Sequence, residues 1–146
     1  MDPNDFTRKI DDERIVAAIR AAEARGRGEI CVHVTREAVG DAQTAAVEVF
    51  ERLRMAATGE RNSVLIYVSP RSHVFAVIGD RGVHEHCPAG FWRDVADAMR
   101  DDFRAGRFTE ALVRGVERVG EVLGRAFPRE PGREDANELP DAVSRD

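Results

Sequence analysis

Two short apolar runs, Val64–Val68 and Val74–Ile78, constrain the fold of this chain more than any other feature. Both are rich in β-branched and aromatic residues, and Ser69-Pro70-Arg71-Ser72 and His73 lie between them. Pro70 can neither continue a central strand nor donate to its ladder, so the pair reads as a β-hairpin with its turn at the proline. Neither run alternates apolar with polar residues. A strand of that kind has no face suited to water, so both must be covered above and below, which calls for helices on both sides of a sheet.

The flanking sequence supplies those helices. Asp11 and Asp12 place negative charge at the start of a helix whose apolar face is Ile15, Ala18, Ile19 and Ala22, with Gly26 as its stop. Residues 28–35 (GEICVHVT) follow as a strand, with Ile30, Val32 and Val34 on one face and Cys31, His33 and Thr35 on the other. Asp41 caps a second helix, expected to run to Thr58-Gly59. Strand, helix and first hairpin strand then form a βαβ unit, so strands one and two should be parallel with a right-handed crossover. Beyond a loop from Gly79 to Gly90, a third helix carries Trp92, Val95, Met99 and Phe103 on one stripe and ends at Gly106. Thr109 is expected to cap the fourth, whose buried stripe is Leu112, Val116, Val119, Leu123 and Phe127. Gly115, Gly120 and Gly124 each weaken that helix by about 1 kcal/mol relative to alanine, so at least one should permit a close approach. The expected class is therefore α/β: a three-layer α/β/α sandwich with a small mixed sheet (one parallel βαβ pair plus an antiparallel hairpin) and four helices. Residues 1–127 form the domain, and residues 128–146, acidic and proline-containing, are expected to be a flexible tail.

A net charge of −5 and a pI near 5.4 argue against nucleic acid as a partner, which would call for a basic face. The basic residues, of which Lys9 is the only lysine, are interleaved with acids rather than clustered. No apolar run approaches the roughly 18 residues of a membrane span, and the polar first residues lack a hydrophobic signal region. Cys31 and Cys87 do not make a disulfide framework. These features lead to the expectation of a cytoplasmic protein with two free thiols, not inserted in a membrane. Nothing in the sequence specifies an oligomeric state.

Topology gathers polar residues from distant parts of the chain. Strand three returns antiparallel to strand two, so its exit loop lies where strands one and two begin. One rim should thus collect Glu29, Arg61, Asn62, Asp80, Arg81, His84, Glu85, His86 and Cys87. Glu29, Asp80 and Glu85 offer hard oxygen ligands suited to Ca²⁺ or Mg²⁺; the spacing of His84, His86 and Cys87 matches no zinc motif. The alternative is a loop tied down by salt bridges from Arg61 and Arg81. The opposite end, where open α/β sheets usually bind ligands, offers Thr35, Arg36, Glu37 and Ser69–Arg71, a poorer set for chemistry. GxSxG, P-loop, GxGxxG and HExxH motifs are absent from the sequence. Cys31 reads as a small buried hydrophobe, His33 as a hydrogen-bonded interior or edge histidine, and His73 as an exposed turn residue.

The segments RNSVLIYV, GDRGVHEH, Phe91-Trp92, GRFTEALV and FPRE…NELPD, preceded by Glu23 and Glu29-Ile30, occur in an order and spacing that resembles the TPM domain family. Members of that family occur in thylakoid-lumen, photosystem-repair-related and bacterial proteins. The resemblance implies an α/β/α sandwich; some members are described as phosphatases and others as calcium-binding. Its matching segments contain the rim positions Glu29, Arg61, Asn62, Asp80, His84 and Glu85. Two functions follow from it. The preferred one is a module that binds a divalent cation or a protein partner through the rim, without catalysis. The alternative is a metal-dependent acid phosphatase acting on phosphomonoesters. Asp80, Glu29 and Glu85 would then hold the cation, Arg61 or Arg81 the phosphate, and His84 would protonate the leaving group.

Overall fold

The computed structural model describes residues 1–53, 55, 61–128 and 142–146. Their order is α1 (Pro3–Lys9), α2 (Asp12–Ala24), β1 (Glu29–Val34), α3 (Ala42–Arg52), β2 (Ser63–Ser69), β3 (Val74–Gly79), α4 (Arg81–His84), α5 (Phe91–Arg104), α6 (Phe108–Ala126) and β4 (Val143–Arg145). The sheet runs β3-β2-β1-β4. β1 and β2 are parallel, Glu29 facing Ser63 and Val34 facing Val68, and β3 is antiparallel to β2. The hairpin, the βαβ unit and the mixed sheet are as the sequence implies.

β1 and β2 occupy the centre, and every residue of both is buried. On one face Ile30, Val32, Val34, Val64, Ile66 and Val68 pack against Ile15, Ile19, Met99, Leu112 and Val116 of α2, α5 and α6. On the other, Cys31, Leu65 and Tyr67 meet Ala46, Val49 and Phe50 of α3. Uninterrupted apolar strands thus acquire two dry faces, and the result is a three-layer sandwich. β3 is the exception: as an edge strand it is only partly buried.

Small residues set the helix spacing. A Cβ at Gly120 would lie 2.6 Å from the Ala22 Cβ, and one at Gly115 would lie 2.7 Å from the Met99 sulfur. α6 therefore approaches α2 and α5 closely at its glycines, and this contact offsets their low helix propensity. Asp102, buried at the turn from α5 to α6, binds Arg107 at 3.0 Å and Arg114 at 3.1 Å. This clamp was not foreseen among interleaved surface charges.

Several expectations need correction. There are six helices among the described residues, not four: the two additions are α1, capped by Asp2 with Pro3 in its first turn, and the four-residue α4 inside the expected loop. Thr109 does not cap α6, whose N-cap is Arg107; its hydroxyl instead accepts the Asp11 N–H at 3.0 Å. The expected C-terminus of α3 at Thr58-Gly59 lies outside the described residues. So do residues 129–141 of the expected tail, but the last residues are not a tail. Val143–Arg145 add a fourth strand parallel to β1, in register from Val32↔Val143 to Val34↔Arg145.

Candidate functional site

The rim forms where β1 and β2 begin and β3 ends. Three backbone bonds join its segments: Asp80 N–H to the Ser63 carbonyl at 2.9 Å, Gly82 N–H to Arg61 at 3.0 Å, and Glu29 N–H to Asn62 at 3.3 Å. Asn62 adds a fourth link, its side-chain amide donating to the Arg27 carbonyl at 2.8 Å. Glu29, Arg61, Asn62 and Asp80 are thus brought together as the strand order requires.

Asp80 is the centre of this arrangement. It caps α4, its Oδ1 accepting the Arg81 N–H at 2.7 Å. The Arg61 guanidinium closes on both oxygens, Nε to Oδ2 at 2.8 Å and Nη2 to Oδ1 at 3.0 Å. The Asp80 side chain is 4% exposed and that of Arg61 41%, so the pair is a lid of guanidinium over a buried carboxylate. The hydrogen bond to Asp80, and then its negative charge, push the Arg61 pKa above the ordinary arginine value. Arg61 holds a left-handed φ of 53°, unusual for a residue with a Cβ, and this backbone aims its side chain at Asp80.

The exit loop is seated from below. Trp92 lies against Gly79, where a Cβ would come within 2.6 Å of the indole, and the His84 ring lies 5.2 Å from Trp92. His86 Nδ1 bonds the Gly82 carbonyl at 2.8 Å and its ring meets Phe127 edge-on. The Cys87 thiol donates to the Val83 carbonyl at 3.2 Å. Arg81, His84, Glu85 and His86 are exposed, whereas Glu29 is buried with Asn62. The expected salt bridge from Arg61 forms.

As an ion site the rim is poorly provided. Both Asp80 oxygens already accept N–H groups, and a cation would have to displace the guanidinium. Among the described residues, no three His, Cys, Asp or Glu side chains converge in a way that could hold a metal. The cysteines do not meet either: Cys31 packs on the α3 side of the sheet and Cys87 on the opposite side. Both are free. Burial, and then the nearby Glu23 charge, push the Cys31 thiol up to about 11, while burial alone raises Cys87. Neither is poised as a nucleophile at neutral pH.

The opposite end of the sheet holds groups that sequence reasoning missed. His33, 1% exposed, stacks on Tyr67 and is bonded through Nδ1 to Ser144 Oγ at 2.9 Å and through Nε2 to Asp146 at 3.1 Å. Asp146 also accepts from the Thr35 hydroxyl at 2.8 Å and the Arg36 N–H at 3.1 Å. The interior histidine was expected. Its partners lie 111 and 113 residues away, and no local signal announces them.

The model of the TPM domain, which also carries the name TPM phosphatase, matches residues 2–122. The chain belongs to the TPM domain family. Its fold is similar to the NMR structure of the BA42 protein from the psychrophilic bacterium Bizionia argentinensis, with 36% identity, 92% of each chain covered and a TM-score of 0.83. The N-terminal domain of a protein from P. gingivalis shares the fold at 22% identity and a TM-score of 0.60, covering 76% of this chain and 72% of that one. The N-terminal domain of cg2496 from Corynebacterium glutamicum does so at 17% identity and 0.59, covering 76% and 70%. No curated protein matches the chain. Among the described residues of this TPM domain, no helix is long and apolar enough to cross a membrane.

Proposed function

We propose that this TPM domain is a non-catalytic binding module that recognises a protein partner through the rim. The observation that carries the reading is the division of labour within it. Asp80 and Arg61 neutralise one another and fix the loop, while Arg81, His84, Glu85 and His86 stand exposed on the short helix and turn that the pair anchors. A preformed, mixed-charge surface of this kind gives recognition at low ordering cost. Hydrolysis would call for a different arrangement, with the carboxylates open to a cation or a nucleophile beside its base.

The test places a photoreactive residue at Glu85 in the native host. A discrete cross-linked protein should form and disappear when Arg81 and His84 are both replaced by alanine. The reading is overturned if no discrete adduct forms. Turnover of a chromogenic phosphate ester, lost in Glu29→Ala and His84→Ala, would establish the hydrolase instead. Saturable shifts at Glu29 and Asp80 with millimolar Ca²⁺ or Mg²⁺ would establish a cation site.

A further inference from the structure

A recess lies at the other end of the sheet, beside the hairpin turn. It is a groove of about 470 Å³ between the turn, α1, the end of α5 and the start of α6, within the usual range of ligand pockets, about 300–1,000 Å³. Its floor is a row of rings. Phe6 lies 5.2 Å from Phe108, Phe108 lies 6.4 Å from Phe103, and Phe103 lies 5.2 Å from Phe75. Phe6 is buried, and the other three are half-buried with part of their surface toward the groove.

The rim of this groove is cationic. Arg100 sits over the Phe75 ring at 5.8 Å, and Arg104 stands beside it. Arg104 has no hydrogen-bond or ion-pair partner among the described residues, and Arg100 is shared with Asp97 alone, at 2.9 Å on the exposed side of α5. No acidic residue is among those lining the groove. In a chain of net charge −5, an aromatic floor with Arg100 and Arg104 at its border and no acidic residue in its lining is complementary to one class of ligand. That class is an apolar tail ending in a single carboxylate. Guanidinium groups bind carboxylates through paired N–H donors, and they do so most strongly beside a surface that excludes water.

We propose that this groove binds a free medium-chain monocarboxylate, its tail along Phe75, Phe103 and Phe108 and its carboxylate between Arg100 and Arg104. The reading is independent of the partner-binding rim, from which the groove is separated by the length of the strands.

The test is an NMR titration of the full chain with decanoate. Saturable amide shifts should cluster at Phe75, Phe103, Arg104 and Phe108 and leave Asp80 and His84 unmoved. Decanol, with the same tail and no charge, should bind at least tenfold more weakly. The Arg100→Gln/Arg104→Gln variant should keep the parent spectrum elsewhere and lose at least tenfold in decanoate affinity. Any of four results would overturn the proposal: no saturable shift, shifts spread over the whole surface without saturation, decanol binding as tightly as decanoate, or a double variant with unchanged affinity.

Discussion

At the end where β1 and β2 begin, Asp80 lies buried beneath Arg61, with both oxygens engaged. At the end where they finish, Arg100 and Arg104 border a groove floored by four aromatic rings, and Arg104 engages no other side chain among the described residues. The two ends carry similar residue types in opposite roles. Charge at the first end is internal and ties three chain segments together. Charge at the groove is external, and the apolar floor beneath it supplies the cohesion. A buried ion pair contributes rigidity, and breaking it leaves a costly unpaired group. An exposed arginine over an apolar surface holds little structure and remains available to a ligand.

The largest effect should come from removing the guanidinium at the first end. Arg61→Ala leaves the Asp80 carboxylate with only the Arg81 N–H and should lower stability the most. Asp80→Ala should cost less, about 2 kcal/mol, because Arg61 is already 41% exposed and can turn to water. Arg61→Gly should recover about 1 kcal/mol relative to Arg61→Ala, since glycine adopts the left-handed φ of 53° without strain. Urea unfolding midpoints at constant m-value measure all three. If Arg61→Ala costs no more than an ordinary surface substitution, about 0.5 kcal/mol, the contrast between the ends is lost.

The first end was also the more legible one in the sequence. Uninterrupted apolar strands dictated two covered faces, and the hairpin and crossover then forced Glu29, Arg61, Asn62 and Asp80 onto one rim before any contact was known. The second end was hidden because its parts are short or scattered. α1 has seven residues and depends on Phe6 meeting Phe108, a contact that periodicity cannot reveal. Of the four rings of the groove, Phe75 and Phe103 read as core in their own apolar runs, Phe6 lies in a polar stretch, and Phe108 sits at a helix start. β4 is three residues of mixed character, held to β1 by side chains of His33, Ser144 and Asp146 as well as by its ladder. Asp102 resembled any helix-surface acid until Arg107 and Arg114 folded over it. Propensity sees elements that form through their own pattern; it does not see those that form only because a distant residue waits for them.

A smaller effect is expected at β4. Burial of Asp146 raises its pKa, but bonds from the Thr35 hydroxyl, His33 and the Arg36 N–H outweigh this, and the net shift is downward. The folded state therefore binds the proton less readily than the unfolded one. The contribution of Asp146 is fully present above the ordinary carboxylate pKa, about 4, and is lost as pH falls through the lowered value. Arg52, 3.7 Å away, faces the same carboxylate. Amide exchange at Ser144 and Arg145 should accelerate as the pH is lowered below about 4, after correction for intrinsic rates, while Ile66 stays protected. Asp146→Ala should show the same local opening at neutral pH, at a cost of about 1 kcal/mol. If Ser144 and Ile66 open together in both experiments, β4 belongs to the global unfolding unit and Asp146 is not its fastening.

The smallest effect should be found at the groove, and its smallness sharpens the comparison. Arg104 has no side-chain partner among the described residues, and the Arg100 ion pair with Asp97 joins two largely exposed groups one helical turn apart. Such pairs contribute about 0.3–0.5 kcal/mol. The contact of Arg100 with Phe75 is likewise exposed, and cation–π contacts there contribute about 0.5–1 kcal/mol. Glutamine keeps much of the apolar stem of arginine and its helix propensity. Arg104→Gln should therefore leave stability within about 0.5 kcal/mol of the parent, and Arg100→Gln should cost no more than about 1 kcal/mol. Thermal unfolding monitored by circular dichroism reads both. A loss from Arg104→Gln as large as that from Arg61→Ala would show that the groove arginines hold the turn and the ends of α5 and α6 together, and that both ends of the sheet use charge as internal structure.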